Sequence, residues 1–599
     1  MTETATLDSG FDPDALRARY RAERDKRLRA DANEQYVEVK GDFAHYVDDP
    51  YVAPGFTRAP LTDEVEVVVI GGGFGGLLAA ARLREAGIGE IRLIEKGGDF
   101  GGTWYWNRYP GAMCDVESYI YLPLLEEVGY VPKEKYTRAP EILAHSAAIG
   151  RRYDLYKDAL FQTEVTELRW DDASARWLVS TNRGDELRAR FVAMSNGPLN
   201  RPKLPGIPGI DSYRGHSFHT SRWDYGYTGG GPDGGLEKLR DKRVAIIGTG
   251  ATAVQCVPHL GEAAQQLHVF QRTPSSIDVR ANRDTDLEWA RSLKAGWHKH
   301  RMDNFNVLVS GGFQEEDLVM DGWTDIIRKL LIMVQEDKSG AAGQDVGKTM
   351  ELADFEKMNQ VRARVDAIVK DEATAESLKP WYRQFCKRPC FHDEYLQTFN
   401  RPNVTLVDTR GKGVERITPR GVVANGVEVP VDCIIFATGF EVGTDYTRRA
   451  GYEIYGRDGL SLTQKWSGGL RTLHGMHSRG FPNCFIMGPQ QSAFTVNYPH
   501  MLDEQAKHIA HLIRHALDRG ARTLEASEGG EEQWVQTIIA FSRMGREFLE
   551  ACTPGYYNNE GNLSNLAAQN SFFGGGSILF FNMLKDWREK GDYQGLEIG

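Results

Sequence analysis

The stretch Glu64–Gly87, EVEVVVIGGGFGGLLAAARLREAG, decides how this chain is read. Its first seven residues form the near-continuous apolar run of a strand buried on both faces. The pattern turns helical from Leu77, and between the two Gly71-Gly72-Gly73-Phe74-Gly75-Gly76 satisfies G-x-G-x-x-G through Gly71, Gly73 and Gly76. Glycines at those places permit a tight turn and let a pyrophosphate approach the helix N-terminus. A second strand, EIRLIE, ends on Glu95, 24 positions after Gly71, where a carboxylate accepts hydrogen bonds from ribose hydroxyls. Strand, loop, helix, strand and acid in this order open a doubly wound α/β sheet that holds a dinucleotide.

The same texture recurs in RVAIIGTGATAVQCVPHL (243–260) and QLHVFQR (266–272). Here Gly248, Thr249, Gly250 and Ala253 carry a G-x-G-x-x-A loop. The residue 24 positions after Gly248 is Arg272, not an acid. A guanidinium pairs bidentately with a 2′-phosphate that a carboxylate would repel. The first unit is therefore expected to hold FAD, with its free ribose, and the second NADPH in preference to NADH. Thr273 adds a hydroxyl beside Arg272. The fold class that follows is α/β with two Rossmann-like dinucleotide-binding domains, for FAD and NADP, and a helical insertion in the NADP domain.

Working outward gives five segments. Residues 1–60 read as an arm draped over the body: a charged helix, then Tyr36, Phe43, Tyr46, Tyr51 and Phe56 among polar residues. Residues 61–205 form the first part of the FAD domain and 206–240 a linker. Residues 241–410 form the NADP domain, interrupted at about 285–380 by helical runs such as LEWARSLKAGWHKH and WTDIIRKLLIMVQ. Residues 411–599 read as a return to the FAD domain and the source of substrate-site segments. The apolar run VDCIIFATGF (431–440) is taken as that return.

The net charge of −11 argues against a nucleic-acid partner. No run approaches the ~20 apolar residues of a membrane span. MTETATLDSG has neither a basic nor an apolar leader region, and the ending LEIG matches no retention signal. Seven cysteines, an odd number, suggest a reducing compartment, so a cytoplasmic location is expected. Oligomeric state is not readable. Two dinucleotide domains imply a flavin that takes hydride and passes electrons on. No C-x-x-C or C-x-x-x-x-C pair lies in the first domain, which leaves oxygen or an electron partner as acceptor.

Two further stretches narrow this. Residues 101–115, GGTWYWNRYPGAMCD, follow G-G-x-W-x-x-x-x-Y-P-G-x-x-x-D, and residues 213–224, YRGHSFHTSRWD, follow Y-x-G-x-x-x-H-x-x-x-W-D. Both resemble the signatures of type I Baeyer–Villiger monooxygenases, class B flavoproteins that use FAD and NADPH, and the chain resembles their long-armed members. The resemblance runs from about residue 60 and takes in both loops, DCIIFATGF (432–440), FIMGPQQSAF (485–494) and WREKGDYQGLEI (587–598). MSNGPLNRPKLPGIPG (194–209) departs from the A-T-G core common in relatives, and Ser195 and Asn196 are expected to preserve that turn.

The resemblance implies a ketone and O2 as substrates and an ester or lactone as product, by way of a C4a-peroxide of FAD. It places Asp115 near the flavin and Trp104 and Tyr121 along its site, and adds Gly102, Val165 and Asn497 to the cofactor contacts. His219 would couple NADP binding to domain position, with Trp223 beside it on the linker. In FCKRPC (385–390) the cations matter rather than the cysteines: Cys386 and Cys390 are read as neutral filler and no metal is expected, since two ligands of a zinc site are missing. Arg388 would stabilise the anionic oxygens without supplying an acidic proton, Asp115 would hold it, and Lys387 would face the 2′-phosphate with Arg272. Two other readings stay open: an oxygenase of nitrogen or sulfur, and an NADPH-binding regulator without turnover.

Overall fold

The computed structural model describes residues 11–325, 328, 346–542 and 545–599. The stretch MTETATLDSG and residues 326–327 and 329–335 of the WTDIIRKLLIMVQ reading lie outside the described residues.

Two sheets carry the molecule. In the larger, Thr62–Ile70 lies between Ile91–Ile94 and Glu186–Met194, parallel to both, with Ile70 opposite Ile94 and Met194. Arg176–Thr181, Val165–Asp171 and Glu453–Tyr455 extend it on one side and Ala159–Leu160 on the other. Cys484–Ile486 returns late in the chain to pair with Glu186–Met194. The helix Phe74–Glu85 covers this sheet and packs against Tyr498–Arg519, burying Leu77, Leu78 and Ala81 with Met501, Ala506 and Ile509.

The second sheet has five parallel strands in the order Val404–Asp408, Gln266–Gln271, Arg243–Ile247, Cys433–Phe436 and His216–His219. Two expectations change here. The run 431–440 does not return to the first sheet: Cys433–Phe436 pairs with Arg243–Ile247, Phe436 opposite Ile247. The segment 206–240, read as a linker, also contributes a strand: His216–His219 forms the edge of the same sheet. An apolar strand buried on both faces fits either sheet, and partner choice is a long-range matter that its composition does not encode. The helical insertion comprises Leu287–Ser292, Trp297–Val309, Val346–Ile368 and Glu372–Leu378.

The N-terminal arm touches all of these parts. Asp12 caps the helix Pro13–Asp25 by accepting from the amides of Asp14 and Ala15. That helix docks on Val346–Ile368 through Tyr20 against Phe355, ring centroids 5.4 Å apart, and Arg17 to Glu351 at 2.7 Å. Tyr36–Val37 then pairs antiparallel with Leu204–Pro205. Tyr46 packs edge-on against Phe436 at 5.8 Å, and Tyr51 meets Tyr105 at 5.9 Å. Among the described residues, no helix is long and apolar enough to cross a membrane.

Candidate active site

Both glycine loops leave the carboxyl ends of central strands, where open α/β sheets bind ligands. In the first, Gly71 sits at φ +101°, and a Cβ there would lie 2.3 Å from the Ser195 carbonyl oxygen. A Cβ on Gly76 would meet the Gly71 carbonyl at 1.8 Å, and one on Gly102 would meet the Gly73 Cα at 2.6 Å. The loop thus has no room for side chains at these places. Ser195, from the departing MSNG turn, is part of the reason, and its amide donates to the Ile70 carbonyl at 2.8 Å. Asn196 is held by Tyr446 and Tyr452 at 3.2 and 3.0 Å. Glu95 accepts from the amides of Gly72 and Gly97, both at 2.6 Å. Burial raises its pKa, while these two amides work the other way.

In the second loop, Gly248 has φ +112°, and a Cβ there would meet the Ala437 carbonyl at 2.4 Å. This is the structural use of the 431–440 run. The Thr249 hydroxyl donates to the Thr273 carbonyl at 2.7 Å. Arg272 is engaged at both terminal nitrogens, Nη1 donating to Gln35 Oε1 at 2.7 Å and Nη2 to Glu560 Oε2 at 3.1 Å. Glu560 also takes Lys203 Nζ at 3.0 Å. Burial, together with neighbouring Arg272, brings the Lys387 ammonium down to about 8.

One continuous cavity of about 1520 Å³ joins the loops. That exceeds the ~300–1,000 Å³ usual for a single small ligand, so it has room for more than one. Gly71, Gly73, Glu95, Gly102, Trp104, Asp115, Tyr121 and Val165 line it on the first domain's side. Gly248, Thr249, Gly250, Arg272, Thr273, Lys387 and Arg388 line it on the second's. Trp104 Nε1 donates to the Tyr121 hydroxyl at 3.0 Å.

Arg388 and Asp115, 273 positions apart, meet in a two-point fork, Nη2 to Oδ1 at 2.5 Å and Nε to Oδ2 at 3.2 Å. The Arg388 side chain is 38% exposed, and what it is exposed to is this cavity. Burial opposes its charge, yet Asp115 beside it keeps the pKa well above the ordinary arginine value. Trp323 completes the support: its indole N–H donates to the Asp115 carbonyl at 2.8 Å and its ring lies 5.5 Å from the Arg388 guanidinium.

Four site candidates lie off the cavity. Gly76 is beneath the loop. Asn497 is fully buried and donates to the Ile120 carbonyl at 2.8 Å. His219 ends the edge strand of the second sheet, buried, with Nδ1 accepting from the Ser221 amide at 3.2 Å; burial and Arg222 lower its pKa to about 3. Trp223 is buried and donates to Thr228 at 3.1 Å.

Cys386 is not neutral filler: it forms a disulfide with Cys552, 166 positions away, their Cα atoms 5.0 Å apart. Cys390 is a buried free thiol. The pairing departs from the all-thiol chain expected from the odd cysteine count. It arises because the fold brings 552–561 beside Lys387 and Arg388, a proximity that local sequence does not carry. Tyr556 and Glu560, in the stretch CTPGYYNNEG (552–561) that the resemblance offers as a lining of the substrate cavity, do line it; Trp323 and Phe572 line it without having been legible as site residues.

The residues present fit two dinucleotides. The first loop admits only backbone where a pyrophosphate would lie, above Glu95. At the second, the Thr273 hydroxyl is buried without a hydrogen-bond partner and lines the cavity beside Arg272. The NAD(P)-binding Rossmann-like domain family matches residues 69–128, which include the first loop. Neopentalenolactone D synthase of Streptomyces avermitilis is 58% identical, over 98% of this chain and 99% of its own. A Baeyer-Villiger monooxygenase of Streptomyces coelicolor is 50% identical over 96% and 95%. The structure of a polycyclic ketone monooxygenase from Thermothelomyces thermophila superposes with a TM-score of 0.90 at 39% identity, covering 98% of this chain and 99% of that one.

Proposed function

The chain belongs to the Baeyer–Villiger monooxygenases, and from that premise we propose that it oxidises a polycyclic ketone held against Arg388. It inserts one oxygen atom of O2 beside a ketone carbonyl to give a lactone or ester, with FAD and NADPH as cofactors. FAD, reduced by NADPH, supplies the activation of O2 when bound.

The observation that carries the residue assignment is the Arg388–Asp115 fork facing the cavity between the two loops. Arg388 donates to the substrate carbonyl oxygen as negative charge develops there, and as a permanent cation it adds no acidic proton. Asp115 is a positioning residue that fixes the guanidinium plane. Oxygenation at nitrogen or sulfur has no carbonyl oxygen to stabilise and gives this fork no task.

The ketone's size follows from the walls. Phe494 and Phe572 stack at 5.3 Å and are 41% and 50% exposed, and both line the cavity. Phe548, Leu549 and Leu563 extend the apolar lining. The names of the two relatives that specify a polycyclic ketone and a lactone support a fused-ring substrate. A panel of cyclohexanone, cyclododecanone and a steroidal ketone tests it: kcat/KM is expected to favour the larger ketones by at least about tenfold, since each further buried CH2 contributes ~0.8 kcal/mol. A preference for cyclohexanone would overturn the proposal.

Arg272, Thr273 and Lys387 take the 2′-phosphate of NADPH in this reading. A charge-assisted pair is worth about 1.5–3 kcal/mol, so NADPH is expected to exceed NADH in kcat/KM by at least about tenfold. Arg272→Ala is expected to remove most of that ratio by raising the KM for NADPH. Equal use of the two cofactors by the unaltered enzyme would defeat the assignment.

A further inference from the structure

Arg272 is not waiting with free donors. One terminal nitrogen is taken by Gln35 of the arm and the other by Glu560 of the 552–561 segment. Glu560 is 4% exposed, bridges Arg272 and Lys203, and sits at φ +55°, a left-handed conformation uncommon for a residue with a Cβ. Among the described residues it is the one carboxylate within ion-pair distance of this cation group, and none lies so close to Lys387. A buried carboxylate spanning a guanidinium and an ammonium does there what a phosphate would do.

We propose that Glu560 is a built-in competitor of the cofactor's 2′-phosphate: its carboxylate holds Arg272 and Lys203 until a 2′-phosphorylated adenosine displaces it. This rests on the reading of Arg272 as the 2′-phosphate's partner. The two anions exclude one another because a phosphate pairing with Arg272 comes into contact with the Glu560 oxygen already on that guanidinium, and like charges in a partly buried site repel strongly. Displacement is local. The segment is clipped at Cys552 to Cys386, and Asn558 ties it to the carbonyls of Leu549, Cys552 and Thr553. What moves is therefore the short stretch beyond that tie, Asn559 to Gly561, whose Glu560 amide donates to the Gly555 carbonyl at 2.8 Å.

The test is calorimetric binding of 2′,5′-ADP and of 5′-AMP to the FAD-loaded enzyme, without turnover. Glu560→Gln keeps the shape and removes the charge. It is expected to tighten 2′,5′-ADP by about tenfold, equivalent to ~1.4 kcal/mol, and to leave 5′-AMP unchanged. Weaker or unchanged 2′,5′-ADP binding would overturn the proposal, since Glu560 would then position Arg272 or play no part. Failure of the unaltered enzyme to prefer 2′,5′-ADP over 5′-AMP is a different result: it would remove the Arg272 reading itself. Should Glu560→Gln not fold, hydrogen exchange on the unaltered enzyme decides. Amides of 559–561 are expected to exchange faster with 2′,5′-ADP than with 5′-AMP, and slower exchange would sink the idea.

Discussion

Arg388→Ala is expected to abolish most lactone formation while leaving a yellow protein that still consumes NADPH. The guanidinium is the donor the cavity offers beside Asp115, and removing one preorganised oxyanion donor costs about 10²–10³-fold in turnover. Nothing in the first glycine loop or at Arg272 depends on Arg388, so FAD content and reduction by NADPH should persist. Oxygen taken up without product should leave as hydrogen peroxide. Measuring ketone conversion, NADPH consumption and peroxide together distinguishes this from a folding defect. Arg388→Lys should not rescue, because an ammonium cannot reproduce the two-point fork with Asp115. Asp115→Asn should fall between, since the cation remains but loses its charged anchor. Normal lactone yield from Arg388→Ala would remove the assignment.

The second large effect is loss of stability in mild acid. His474, His477 and His508 form a buried group with ring centroids 6.0 and 6.2 Å apart, walled by Trp534 and Trp587. Burial lowers His474 to about 3 and His477 to about 4, and takes His508 well below its ordinary value. Arg588 donates to His508 Nδ1 at 3.2 Å and further disfavours a proton there. The folded pKa values lie below the unfolded value near 6.5, so the unfolded chain takes up protons first as pH falls. Their contribution is present above ~6.5 and is lost progressively down to ~3–4. At pH 5.5 each histidine accounts for about 1.4 kcal/mol, roughly 4 kcal/mol for the three. Asp321 runs the other way: burial raises it to about 7, so it favours the folded state in acid. The difference between two proteins isolates the cluster. His508→Gln should flatten the fall in Tm between pH 7.5 and 5.5 by about a third of the cluster's share. Identical slopes would show that the cluster does not drive it.

What could be read without coordinates was what is local. The loops at Gly71 and Gly248, the acid at Glu95 and the arginine at Arg272 declare themselves because turn, helix start and strand end fall within about thirty residues. The Asp115–Arg388 fork was reachable through the resemblance, not through pattern alone, because 273 positions separate its members. The errors share one cause. Cys433–Phe436 is a generic buried strand whose sheet is chosen by a partner nearly two hundred residues earlier. Cys386 found Cys552 across 166 positions, and Arg272 found Glu560 across 288. His219 ends the edge strand of the second sheet and Trp223 is buried beyond it, both off the cavity lining.

The contact of Arg272 with both Gln35 and Glu560 sets an order of assembly on the ribosome. Gln35 emerges long before Glu560, and at ~5–20 residues per second the interval between them is from about half a minute to nearly two minutes. During that time the arm can pair with Leu204–Pro205 and the five-stranded sheet can close, yet the pocket around Arg272 lacks one wall. A nascent chain would therefore present three clustered cations, Lys203, Arg272 and Lys387, without the carboxylate that ion-pairs the first two. Such a pocket favours whatever polyanion is at hand, and only synthesis of the segment that carries Glu560 restores the balance of charge.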